Sequence, residues 1–180
     1  MKRQPLLQLL HQYTPANPNE RQMWRDTISF VETQPNCFER WLEIGHVTGS
    51  AWIVDAARRH ALLMHHRKLD RWFQPGGHAD GETDILQVAL KEAREETTLT
   101  DIQVVESSIF DVDVHLIPAR DRMPAHLHYD IRFLFEANIN APLLGNHESK
   151  AVKWIALEEI KNYNNSDSIL RMVKKTLDLQ

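Results

Sequence analysis

The sequence predicts an α+β fold, a mixed β-sheet sandwich flanked by helices, and three observations carry that prediction. Two stretches alternate between polar and apolar residues, 111–116 strictly and 127–136 strongly, the period of a strand with two unlike faces. Segments 5–13, 19–33 and 166–179, and a stretch following Gly77, repeat their apolar residues at helical spacing instead. Strands therefore predominate around one central helix, with further helices at both ends. No internal repeat or low-complexity segment interrupts this order.

The chain of 180 residues is long enough for one domain with a real core and a small appendage. At 42% hydrophobic and 26% charged residues the balance is that of an ordinary globular protein. A formal net charge of −4 argues against a general nucleic-acid binder, whose footprint is basic, but leaves small nucleotides open as ligands. The single cysteine, Cys37, excludes an internal disulfide and fits a reducing compartment. It reads as a small buried apolar residue rather than a catalytic thiol. The Leu6 to Leu10 run is too short for a signal core, and no apolar run approaches the ~20 residues of a membrane span. The expectation is a cytoplasmic domain without a membrane or nucleic-acid partner.

In chain order, residues 5–13 form a short amphipathic helix striped by Leu6, Leu9 and Leu10. Two prolines, Pro15 and Pro18, make 14–19 a turn, and Pro35 ends a second helix over 19–33. A third short helical piece is open around 36–41. Residues 1–42 thus read as a helical extension packed on the main domain, residues 43–180. Segments 48–54 and 61–66 flank a polar stretch and predict a hairpin. Beyond the central helix, 102–114 is β-rich. In the strand at 127–136, Leu127, Tyr129, Ile131, Phe133 and Phe135 face the core, while His128, Asp130 and Arg132 face the other way. A short strand at 151–155, a short helix beginning at 157–160 and a terminal helix with Ser166 or Asp167 as N-cap complete the chain.

The central helix carries Glu92, Glu95 and Glu96. Positions i, i+3 and i+4 share one helix face, so the three carboxylates converge. Like charges so placed destabilise a helix unless something neutralises them. A hard divalent cation does so, since Mg2+ takes carboxylates together with substrate phosphates. The pattern therefore points to a metal-dependent enzyme acting on a phosphorylated substrate. Gly76 and Gly77 read as a turn ahead of this helix, Thr83 or Asp84 as its cap, and Leu86, Ala89, Leu90 and Ala93 as its buried side.

This stretch resembles the signature box of the Nudix hydrolases, G-x5-E-x7-R-E-U-x-E-E-x-G-U with U aliphatic. Gly77, Glu92, Ala93, Glu95, Glu96 and Leu99 stand in their places. Glu82 comes one residue early, Lys91 replaces the arginine, and Thr98 stands where the helix-ending glycine belongs, in a geometry that strains a β-branched residue. The preceding HHRKLDRWFQPGGH and the later DVDVHLIPAR, HLHYDIRFLF and ESKAVKWIALEEI are similar to a bacterial subgroup of that family whose substrate is unassigned. The resemblance runs from about Glu43 to the C-terminus and implies a Nudix fold.

The same resemblance implies that Glu92, Glu95 and Glu96 hold one to three Mg2+ or Mn2+ ions, with the Gly76 carbonyl as a further oxygen ligand. Glu148 stands where a fourth carboxylate ligand or general base is often found. Water then attacks a pyrophosphate phosphorus, with Glu92 or Glu148 taking the proton. His65, His66, Arg67, Lys68 and Trp72 lie at a strand end where cations meet phosphates and an indole stacks on a base. His78 is a phosphate contact or a backbone cap. His128, Asp130 and His126 share a strand face that lines the pocket opposite Asp111, Asp113 and His115, chelates zinc or is an ordinary polar sheet face. Arg120 and Arg132 are further phosphate contacts. Two other functions compete with the pyrophosphohydrolase: a nucleotide-sensing module of the same fold, and a zinc hydrolase built on His126 and His128. The N-terminal helices are expected to cover the pocket, build a homodimer or brace the sheet.

Overall fold

Pro18 presets the first turn of a helix whose N-cap is Asn17, its side chain accepting the Glu20 N–H at 2.9 Å. The computed structural model describes residues 2–119 and 123–180. Within them run α1 (Gln4–Gln12), α2 (Pro18–Thr33), β1 (Gly45–Val54), β2 (His60–His66), β3 (Arg71–Phe73), β4 (Gly76–His78), α3 (Ile85–Thr97), β5 (Ile102–Val104), β6 (Asp111–Ile117), β7 (His126–Ala137) and β8 (Ser149–Ala156). A 3-10 helix (Leu157–Asn162) and α4 (Asp167–Leu177) come last. The strands join in the order β3-β2-β1-β7-β5, with β4 on β1, β6 on β7 and β8 on β2. A β-sheet flanked by helices and preceded by two more is the α+β class expected. Residues 36–41 form turns and no helix.

The chain divides into two compact units. The first comprises Met1–Ser50, Gly76–Ala89 and Ser107–Phe133. In it α1 lies on α2 through buried Leu6 and Leu10, and the Trp24 indole donates to the Leu10 carbonyl at 2.7 Å. Helix α2 packs on β6: the Glu20 carboxylate takes the Tyr13 hydroxyl and faces the Val112 N–H at 3.4 Å. Phe30 stacks on Tyr129 of β7 with ring centroids 3.9 Å apart. The N-terminal helices thus brace the β6–β7 ladder, which runs in unbroken antiparallel register from Asp111↔Arg132 to Ile117↔His126.

Gly76 and Gly77 do not form the expected turn. They lie in β4, paired with β1 through Ser50↔Gly76, Gly49↔Gly77 and Thr48↔His78. A Cβ on Gly76 would stand 2.2 Å from the Ser50 hydroxyl and 3.0 Å from the Gly49 carbonyl, so glycine is needed here for close approach. The turn itself comes later, where Asp80 and Gly81 take φ values of 48° and 85°.

The second unit comprises Ala51–Pro75, Leu90–Glu106 and Leu134–Gln180. Strand β2 pairs with β3 and with β8, and β5 pairs with the end of β7. The expected hairpin is present, closing at Val54↔Ala61. Trp52, Leu62, Leu63, Phe135, Ile160 and Met172 are fully buried in this unit. The Trp52 indole donates to the Thr176 hydroxyl of α4 at 2.9 Å, which satisfies its one polar atom inside the core. Ser166 is the α4 cap.

Candidate active site

Helix α3 starts where Asp84 accepts the Gln87 N–H at 3.2 Å, which makes Asp84 the cap. Glu82 accepts from the N–H groups of Thr83 and Asp84 just ahead of it, and those bonds hold its carboxyl below the usual range. The early position of Glu82 thus has a local role, in ordering the approach to the helix. Close to this start, a Cβ on Gly49 would meet the Ile85 carbonyl at 2.9 Å. Glycine there lets β1 approach the helix.

The acids lie on the part of α3 that belongs to the second unit. Their exposure is graded: the Glu95 side chain is 55% exposed, Glu92 18%, and Glu96 as a residue only 5%. Lys91 places its ammonium 3.8 Å from both Glu92 and Glu95. One point charge therefore serves two carboxylates, where arginine would have offered a fork. The helix ends at Thr98, with φ 58° and its N–H bonded to the Arg94 carbonyl, so the strained left-handed cap expected there is present.

The loop after β7 is tied to that end of α3, because the Leu144 N–H reaches the Thr98 hydroxyl at 3.2 Å. Glu148 comes next in this loop. Its N–H donates to the Asn146 side chain at 2.8 Å and its carbonyl accepts the Arg67 N–H at 2.7 Å. Arg67 also grips the His147 and Ser149 carbonyls, so its guanidinium is engaged in holding this loop. The Glu148 carboxylate is half exposed and 3.8 Å from His147.

His65 and Trp72 are cross-strand neighbours in β2 and β3, and their rings stack at 5.0 Å and 12°. The Lys153 ammonium lies 5.6 Å from the indole, and Tyr163 meets it edge-on at 5.3 Å. Trp72 is therefore already stacked by its own chain. Lys68 is exposed on the β2–β3 turn, its N–H donating to the His66 ring at 3.2 Å. Asp70 in that turn faces Lys150 at 2.6 Å and His65 at 2.8 Å, and Lys150 above all lowers its carboxyl from the ordinary value.

In the first unit the face of β7 opposite the core is not open. Arg132, 4% exposed, pairs with Asp130 at 2.7 Å, Asp111 at 3.1 Å and Asp113 at 3.2 Å. Those carboxylates raise its already high pKa further against burial. The donors a phosphate would use are thus engaged in joining β6 to β7, so Arg132 holds strands. Asp130 also accepts from the Thr48 and Ser50 hydroxyls at 2.9 and 2.8 Å. It is bound up with β1 and Arg132, away from the ligand set expected with His126 and His128.

A different group of histidines takes that place. His46 on β1, His78 on β4 and His128 on β7 each offer a ring nitrogen within 4.8 Å of the others. His126 and His115 stand around them, with ring centroids 5.2 and 5.5 Å from that of His128. Burial first, and then the neighbouring rings, push His46 down to about 4 and His128 down to about 2, so both imidazoles are neutral. His46, Thr48 and Ser50 were not among the residues expected at a site. Their signal was present as i, i+2, i+4 on one strand, the spacing that flagged His126, His128 and Asp130 on β7. Arg120 lies outside the described residues.

The NUDIX domain profile matches residues 46–174, and the chain belongs to that family. It is accordingly a Nudix hydrolase, and Nudix enzymes generally use divalent metals. Solved structures share the fold. An Ap4A hydrolase from C. elegans, in a binary complex, is 19% identical with a TM-score of 0.57, covering 74% of this chain and 96% of its own. The E. coli dihydroneopterin triphosphate pyrophosphohydrolase is 14% identical with the same TM-score and the same two coverages. A Nudix-family hydrolase from Clostridium perfringens is 20% identical with a TM-score of 0.53, covering 75% and 98%. No curated protein matches the chain. The profile starts at His46, so α1 and α2 lie outside the matched region. No described helix is long and apolar enough to cross a membrane.

Proposed function

We propose that this chain cleaves a pyrophosphate bond in a nucleoside diphosphate-linked or similar phosphorylated substrate, with Mg2+ or Mn2+ held by Glu92, Glu95 and Glu96. The observation that supports this most is the graded acid face of α3, from buried Glu96 through Glu92 to exposed Glu95. The three side chains offer hard oxygen donors from adjacent turns of one helix, the donor type that suits Mg2+ or Mn2+. Among the described residues their carboxylates are not drawn together into a formed ligand set. Bound there, the ion supplies a water of lowered pKa and neutralises phosphate oxygens.

The remaining work falls to the chain. Glu92 or Glu148 takes the proton of the attacking water, and the clustered carboxylates share their titration as a group. Lys91 keeps two of the acids close on the helix between turnovers. Lys68 meets substrate phosphate, while His65 and Trp72 present an aromatic edge to the other moiety. The single buried thiol fits a cytoplasmic setting.

The test is phosphate release from a panel with Mg2+ or Mn2+: a nucleotide-sugar, Ap4A and other dinucleotides, dihydroneopterin triphosphate and nucleoside triphosphates. Turnover of at least one, lost in Glu96→Gln, is expected. Equal rates for wild type and Glu96→Gln would sink the proposal. Lys91 and Thr98, both departures from the family box, favour one other reading, a sensor that binds without cleaving. Saturable binding of a panel member without turnover would establish it.

A further inference from the structure

We propose that His46, His78 and His128 form a nitrogen-donor site for Zn2+ or a similar borderline transition-metal ion. The site is distinct in chemistry from the carboxylate face of α3, and the proposal does not depend on the hydrolase reading. Three different strands supply one ring each, which removes the difficulty of wrapping a tetrahedral ion with neighbours from a single strand. The register Thr48↔His78 brings β4 beside the start of β1, and the His78 ring lies 5.0 Å from that of His46 and 5.1 Å from that of His128. The Nε2 atoms of His46 and His128 are 3.1 Å apart. Two nitrogens each 2.0–2.1 Å from one zinc at the tetrahedral angle lie about 3.4 Å apart. A small ring rotation therefore opens this pair onto an ion.

The surroundings support the same assignment. Three imidazoles and no carboxylate select zinc, copper or nickel over magnesium or calcium. His46 is 1% exposed, and its Nδ1 is a buried polar atom without a completed hydrogen bond, close to the Leu42 backbone. The same small rotation that opens Nε2 onto an ion can settle Nδ1 on that backbone, the outer-shell contact that fixes the tautomer of a metal-binding histidine. The Nδ1 of His126 is already fixed in this way against the Pro124 carbonyl at 2.9 Å. Two to four residue pairs further along the β6–β7 ladder from His115↔His128, three carboxylates surround the single Arg132 guanidinium, and their field favours a cation at the rings. His78 is half-buried, which leaves an entry path and a fourth position for water. An ion here would clamp β1, β4 and β7 together.

The full chain, freed of metal with a chelator, is titrated with Zn2+ alone by calorimetry and with Co2+ by visible absorption. One tight equivalent with a tetrahedral Co2+ spectrum is expected, separate from any weaker binding at the acids of α3. His78→Ala, at the half-buried and least disruptive position, weakens Zn2+ binding by more than about 100-fold, beyond the 10–100-fold that losing an outer-shell partner costs. Circular dichroism checks that this variant is folded, and Glu95→Gln binds Zn2+ as wild type does. Wild type binding no Zn2+ more tightly than His78→Ala overturns the proposal. Binding that survives in His78→Ala but disappears in Glu95→Gln overturns it equally, by moving the ion to α3. Neither readout involves substrate turnover, so failure here is distinguishable from failure of the hydrolase reading.

Discussion

Thr98 holds a left-handed backbone, φ 58°, that disfavours a branched Cβ by about 1–2 kcal/mol. Its hydroxyl offsets part of that by accepting the Leu144 N–H. Thr98→Gly is expected to raise stability by about 1 kcal/mol, read as a rise in Tm of about 2–4 °C for a chain of this size. Thr176 shows the opposite case. Thr176→Val keeps the shape but strands the buried Trp52 indole N–H, at a cost of about 1–3 kcal/mol in denaturant unfolding. Cys37 is buried, and that burial pushes its thiol up to about 11, so it stays protonated at pH 8. A disulfide reagent should leave the native protein unmodified and label one thiol after denaturation. Rapid labelling of the folded chain would contradict that assignment.

Among the helices and strands, the Asn17 cap decides where α2 begins, and Asn17→Ala should cost about 1 kcal/mol in thermal or denaturant melts. Such local features were legible in the sequence: the acid face of α3, the caps at Thr83 or Asp84 and at Ser166 or Asp167, and the β1–β2 hairpin follow from spacing and propensity, while the left-handed Thr98 follows from the resemblance to the family box. Features set by a distant partner were not. Gly76-Gly77 has the composition of a turn, yet it is a strand paired with β1, and at Gly76 the nearby Ser50 and Gly49 leave no room for a side chain. The polar alternation of β7 marked Asp130 and Arg132 as an outward face. Their burial depends on Asp111 and Asp113 across the ladder and on Thr48 and Ser50 from β1. His46 escaped notice for the same reason, since its companions lie on other strands.

For the molecule as a whole, the neutral histidines tie stability to pH. His46, faced by His78, His126 and Arg40, has a folded pKa of about 4 against the ordinary 6.5 of an unfolded chain. Between those values the unfolded chain binds a proton that the folded chain refuses, so stability falls as pH drops from about 6.5 toward 4. The slope approaches about 1.4 kcal/mol per pH unit per histidine, and His128 adds to it. In metal-free protein the urea midpoint should fall between pH 7 and 5, and His46→Gln should flatten that fall. A midpoint independent of pH over this range would contradict the neutral cluster. Asp70 acts in a lower window, because a carboxylate lowered from its ordinary value loses its contribution only as pH falls through it.

If the acids of α3 perform the reaction, the Mg2+-dependent release rate of wild type and Glu95→Gln on one accepted substrate must differ. Glu95 is more than half exposed, so its loss leaves the fold intact and any change belongs to the chemistry. A kcat lower by at least about 100-fold is expected, with an unchanged Tm. A variant that turns over at the wild-type rate with the same Mg2+ dependence would show that the chemistry lies elsewhere.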